Sequence, residues 1–184
     1  MKHPSTRAFF EYWDDKRGDA AAPDRSDLEP EGVRELLGDI FVLSYDRTAG
    51  YPFRVAGTRV CALLGCDAKG RSFTDLFSAD SREEIEEVLG FVAEETLPIV
   101  AGLTARGPDG RLVHLELLLL PFNARAHTPL SLTGLLAPLQ PLTGEVSSFD
   151  LSSWRVVAPR PDTRPRALRR WTGARGFVVY EGLS

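Results

Sequence analysis

Residues 53–65 read Phe-Arg-Val-Ala-Gly-Thr-Arg-Val-Cys-Ala-Leu-Leu-Gly, or FRVAGTRVCALLG. The run reads as a short strand that turns at once into a short helix, with Gly57, Thr58 and Arg59 at the joint. Gly57 suits a tight strand-to-helix passage, Thr58 is a natural N-cap, and Gly65 ends the helix. A glycine followed by Thr-Arg at a helix start can also hold a phosphate. No basic residue or second glycine follows at Walker spacing, however, so the joint reads as structural. Arg54 and Arg59 are expected to be exposed, or to tie the joint to acids such as Asp27 or Asp75.

Working outward, "IFVLSYD" (40–46) is rich in β-branched and aromatic residues, and the turn formers in "RTAGYP" lead from it into "FRVAG". The two runs should pair as a hairpin. Earlier still, Ser5 or Thr6 can cap a helix through Lys16 that Gly18 stops, with Phe9, Tyr12 and Trp13 on one stripe. "GDAAAPDRSD" is a connector, and a second short helix should start near Pro30, a favoured first helical position. Downstream, "GRSFTDLF" offers a helical turn capped by Thr74. A longer helix is expected from Ser81, where Ser81 and Glu84 form a capping box and Ile85, Val88, Leu89 and Val92 share one face. After Pro98 the period changes to two. "IVAGLTAR", a turn at Asp109-Gly110, and "RLVHLELLLLPF" read as a hairpin, and "LSLTGLLAPLQ" as a last strand. Strand, strand, three short helices, three strands argue for an α+β chain. From Val146 on the sequence is Pro/Arg-rich and reads as an irregular tail, with "GFVVYEG" as a strand or a docking segment.

The chain has 184 residues, 43% hydrophobic, enough for one domain with a single core. No apolar run nears the roughly 20 residues that span a bilayer, and the N-terminus lacks the apolar region of a secretory signal. Cys61 and Cys66 match no zinc spacing and do not make a disulfide framework, so reduced thiols and a cytoplasmic location are expected. The net charge is −4. From Asp150 onward seven arginines and three acids give +4, so residues 1–149 carry −8.

The hallmarks Tyr12-Trp13, Arg17-Gly18, Pro23-x-Arg25-x-Asp27, Pro30, Leu36-Leu37, Arg54-x-Ala56-Gly57-Thr58, Gly65 and Gly70-Arg71 resemble a bacterial family of short, stand-alone PAS-like proteins. The resemblance covers roughly residues 5–140. It implies a PAS-like fold, a five-stranded antiparallel sheet with flanking short helices, here with an N-terminal helix and an Arg/Pro-rich C-terminal tail. The expected division is a helical extension over 1–37, the PAS-like domain over 38–142 and the tail over 143–184. By the same resemblance the protein is a sensory or regulatory module in signal transduction, acting through a small ligand, a signalling partner, or both.

Enzyme motifs are absent: there is no P-loop, no G-x-S-x-G and no H-E-x-x-H. His114 and Glu116 should share one face of a strand, as a solvated pair or a pH-sensitive site. Flavin-type light sensors need a cysteine in an Asn-Cys-Arg-Phe context, which Cys61 and Cys66 lack. Haem needs an axial ligand, and "SREEIEEVLGFVAEE" offers no histidine. Neither cofactor is expected, and no metal site. A pocket for a small apolar ligand would draw on Val55, Val60 and Leu64 around the joint, and on Phe73, Leu76 and Phe77 of the helical turn. Ile85 and Leu89 of the long helix and Leu117 and Leu119 of the fourth strand would complete it; the same residues would equally make a packed core. Phe9, Phe10 and Trp13 either cap the sheet internally or form a homodimer face. The arginines of "WRVVAPRPDTRPRALRRW", interleaved with Trp154 and Trp171, raise the alternative of a nucleic-acid-associated regulator, against which the acidic body argues.

Overall fold

The computed structural model describes residues 1–123 and 130–158, and beyond them only the backbone pairing of strands at 171–172 and 178–179. Helix α1 (Pro4–Arg17) is followed by 3₁₀ turns at Arg25–Asp27 and Pro30–Leu36, strands β1 (Ile40–Ser44) and β2 (Phe53–Ala56), and helix α2 (Thr58–Leu64). A 3₁₀ turn at Thr74–Leu76 leads to helix α3 (Ala79–Glu95), then β3 (Ile99–Arg106), β4 (Leu112–Leu120), β5 (Ser131–Pro138) and β6 (Asp150–Val156). Strands β7 (Trp171–Thr172) and β8 (Val178–Val179) pair with each other, so part of "GFVVYEG" is strand as expected. The α+β, PAS-like architecture holds.

The main sheet has six strands rather than five, all antiparallel, in the order β2-β1-β5-β4-β3-β6. The additional strand, β6, lies in the stretch expected to be an irregular tail. Its apolar residues do not alternate cleanly because it is bulged. Gly102 faces Ser153 and Leu103 faces Leu151, which leaves Ser152 as an extra residue. The bulge puts Leu151, Trp154 and Val156 on the same face in spite of their uneven spacing.

Apolar side chains cover both faces of the sheet. On the inner face a core of Phe41, Leu43, Ile85, Leu89, Leu117, Leu119 and others packs the strands against α2 and α3. On the outer face Leu118, Leu120, Leu135 and Val100 pack against Phe9, Phe10 and Trp13 of α1. The unbroken "LLLL" that ends β4 follows from this, since a strand buried on both sides needs no polar alternation.

Two caps differ from expectation. α1 is capped by His3, whose side chain accepts a hydrogen bond from the Ser5 N–H, and Pro4 takes the first helical position. α3 starts two residues before Ser81, with Ser78 at the N-cap position. Ser81 and Glu84 are thereby freed for the tail: the Leu151 N–H donates to Ser81 Oγ at 3.0 Å, and Trp154 Nε1 donates to Glu84 Oε1 at 3.2 Å. The boundary expected at residue 143 therefore separates nothing: Phe149, buried in the inner core, hydrogen-bonds through its backbone to Leu76 and Ser78.

Candidate functional site

The inner face is the natural place for a ligand. Of the ten residues expected to line a pocket, Val60, Phe73, Phe77, Ile85, Leu89, Leu117 and Leu119 are buried there, and Leu64 and Leu76 pack against them. Three further phenylalanines, Phe41, Phe53 and Phe149, join the group. Ring centroids 5.3–5.6 Å apart link Phe41, Phe53, Phe73, Phe77 and Phe149 into one continuous aromatic run. Phe41 lies over Gly134 of β5, where an added Cβ would come within 2.2 Å of the ring. The arrangement is a core built from the chain's own rings.

Polar chemistry approaches this core at the β1–β2 turn. Tyr51 is fully buried and donates to the Glu86 carbonyl at 3.5 Å. Burial first, and the neighbouring Tyr45 next, push its phenol up to about 12. Tyr45 donates to Glu94 at 3.0 Å, and burial together with that carboxylate also raises its phenol.

Val55 does not belong to this compartment. β2 is bulged too: Val42 faces Val55 while Leu43 faces Phe53, so Arg54 is the extra residue. The insertion reverses the alternation, and Val55 lies 58% exposed on the outer side. Of the two readings of Phe9, Phe10 and Trp13, internal cap or dimer face, the burial matches the cap. Phe9 and Trp13 are fully buried and Phe10 is 8% exposed, because they cap the outer side of the sheet. Trp13 Nε1 donates to the Pro121 carbonyl at 2.8 Å.

At the joint, Gly57 rather than Thr58 occupies the N-cap position of α2, in an extended conformation any residue adopts. What excludes a side chain is proximity: a Cβ on Gly57 would meet the Leu37 and Gly38 carbonyl oxygens at 2.2 and 2.3 Å. The Gly38 carbonyl in turn accepts the Arg59 and Val60 N–H groups that open the helix. Arg59 pairs with neither Asp27 nor Asp75 but with Asp39, through two bonds of 2.6 and 2.8 Å, and donates to the Glu35 carbonyl at 2.6 Å. The bonds to Asp39 raise its guanidinium above its usual value. These contacts account for Gly57 by close backbone approach and for Arg59 by its pairing with Asp39.

Glu116 and His114 share the outer face of β4 but do not act together. His114 is exposed, while buried Glu116 accepts the Lys2 and His3 N–H groups at 2.7 and 3.0 Å, tying down the N-terminus. Among the described residues no cluster of three or more metal-ligating side chains occurs, and no helix is long and apolar enough to cross a membrane. The Arg-rich stretch from residue 159 to 170 lies outside the described residues.

Of the two outcomes expected for Arg54, the structure shows the exposed one, with no ion pair to Asp27 or Asp75; Arg25, one of the hallmarks, lies at the same end. The structure brings them near each other at one end of the sheet: Arg25 hydrogen-bonds Ser131 Oγ on β5, and burial followed by the Arg54 charge pushes its guanidinium below its ordinary value.

The sequence matches the PAS domain family over residues 1–137. No curated protein sequence matches it. Solved structures similar to this chain include the light state of the LOV domain of the blue-light photoreceptor Aureochrome1, at 11% identity and TM-score 0.43, covering 59% of this chain and 86% of that one. A light-oxygen-voltage domain described with a flavin analogue is 13% identical, with TM-score 0.46 and coverage of 59% and 82%. The PAS domain of an HTR-like protein from Haloarcula marismortui is 23% identical, with TM-score 0.40 and coverage of 59% and 90%.

Proposed function

The chain belongs to the PAS domain family, and from that premise we propose that it is a cytosolic regulatory module without catalytic activity, whose output is contact with a signalling protein. The observation that carries this reading is the run of five phenylalanines through the inner compartment. Five rings of the protein's own pack through this compartment, which favours a contact module over a sensor of a large ligand. A bulky cofactor such as flavin or haem would have to displace several rings, each contributing about 1.5–3 kcal/mol of burial. Cys61 packs at the edge of this core, and Cys61 and Cys66 are both partly exposed.

Native mass spectrometry of the purified chain, with an absorption spectrum, tests the reading. A mass equal to the sequence and no visible absorption are expected. A stoichiometric bound mass or a flavin or haem spectrum would make the protein a ligand sensor and overturn it.

A further inference from the structure

We propose that the outer face of the sheet at its β2 end is the docking surface for a partner segment that combines acidic with apolar side chains. This deepens the interaction reading above and rests on it. α1 and the 3₁₀ turn at Pro30–Leu36 cover the outer face over β3, β4 and β5, and that cover reaches β1 only at Ile40. Beyond it the bulge turns Arg54 and Val55 outward together. Val55 is 58% exposed and Leu37, whose carbonyl lies against Gly57, is 43% exposed. Among the described residues only Leu112, at the far end of the sheet, is a comparably exposed large apolar side chain.

The charge pattern supplies the chemistry of the partner. Ser131, which Arg25 holds, faces Ser44 at the end of β1, and Leu43 beside it faces Phe53, the residue before Arg54. Two guanidiniums are thus gathered at one corner. Among the described residues neither has an acid within ion-pair distance. The carboxylates nearest in sequence are engaged elsewhere: Asp27 accepts the Asp24 N–H, and Asp24 accepts the Asn123 amide. Thr133, two residues from Ser131 on the same face and opposite Val42, is buried with its hydroxyl unpartnered. In a body carrying net negative charge, an uncompensated arginine pair beside exposed valine and leucine fits an incoming carboxylate flanked by apolar groups. Arginine takes a carboxylate through two parallel bonds, and the apolar neighbours exclude water around them. The protein's own Arg-rich segment carries the wrong sign for this site.

The test is a titration of the ¹⁵N-labelled full chain with a short peptide alternating glutamate with leucine, followed by NMR. Shifts should concentrate at residues 36–38, 42 and 54–56, weaken with added salt, and be absent with the glutamine version of the peptide. Arg54→Ala and Val55→Asp, both at exposed positions, should each weaken binding by about tenfold or more without lowering the melting temperature. Equal binding of the glutamine peptide, shifts elsewhere, or unchanged affinity in both variants overturns the proposal. So does a dimer in sedimentation that Val55→Asp dissolves, which would make a second copy the occupant. So does a large gain in affinity on deleting residues 159–184, which would make the protein's own tail the occupant. A failed titration leaves the mass-spectrometric test of the regulatory reading untouched, so the two failures are distinguishable.

Discussion

Gly57 and Tyr51 show how single residues set the fold's tolerances. At Gly57 the constraint is contact with fixed backbone, since the two carbonyl oxygens that a Cβ would strike belong to Leu37 and Gly38. The Gly38 carbonyl also accepts the Arg59 and Val60 N–H groups in the first turn of α2, so it cannot retreat without loss. Gly57→Ala should therefore cost about 2–4 kcal/mol, as overpacking against an unyielding wall does. Urea unfolding would measure it, and a change below about 0.5 kcal/mol would show that the joint can relax. Tyr51 gives a pH signature. Its phenol rises from 10.0 to about 12 in the folded chain, chiefly by burial. The folded state thus favours the neutral form. The associated stability is intact below about pH 10 and is lost as pH rises through about 12. Tyr51→Phe loses only a 3.5 Å hydrogen bond, so near neutral pH it should be close to wild type. In melting temperatures taken from about pH 9 to 12, the wild type should fall more steeply than the variant. Parallel curves would contradict the assignment.

At the scale of elements, β6 is what ties the tail into the domain. It closes the β3 edge of the sheet, feeds Phe149 into the aromatic run, and engages the first turns of α3 through Ser78, Ser81 and Glu84. Phe149→Ala should cost about 3–5 kcal/mol, and Phe149→Leu markedly less, in chemical denaturation. A small loss for Phe149→Ala would mean that β6 is an accessory strap. This element also shows where sequence reasoning stopped. The hairpins β1–β2 and β3–β4 were legible because β-branched, aromatic and leucine-rich runs flank clear turn residues, and α3 because its apolar residues recur at helical spacing. β6 and the facing of Val55 were not, and for one shared reason. A bulge adds a residue at Ser152 in the one case and Arg54 in the other, and each reverses the alternation midway. The capping box failed differently: Ser81-x-x-Glu84 fits a helix start, but long-range bonds to β6 claimed both side chains. The candidate pocket was legible as a set of inward residues. Which of them contact one another depends on Phe41, Phe53 and Phe149, which lie far apart in the chain.

For the whole molecule the decisive fact is that the sheet is covered on both sides, which makes the first 37 residues part of the domain. α1 buries Phe9 and Trp13 completely against Leu118, Leu120 and Leu135, and Trp13 closes the contact with a hydrogen bond to the Pro121 carbonyl. The buried Asp14–Arg17 pair lies beside it, with the guanidinium 5.9 Å from the Trp13 ring. Trp13→Ala should cost about 3–5 kcal/mol, because it removes the largest ring of the outer layer and leaves a cavity there. Deleting residues 1–37 should do more than destabilise. It strips the outer strip of β3, β4 and β5 bare, leaving a contiguous apolar patch of a size that soluble monomers rarely expose. The truncated chain is expected to associate at micromolar concentration and to bind a hydrophobic dye. The full chain with Trp13→Phe, which keeps an aromatic ring there but loses the hydrogen bond and part of the indole packing, should stay dye-silent and fall by about 1–3 kcal/mol. Light scattering and dye fluorescence on the two proteins decide it. A truncated chain that is monomeric, dye-silent and cooperative on melting would show that the sheet holds its shape without α1, and that the two-sided core is not what stabilises this domain.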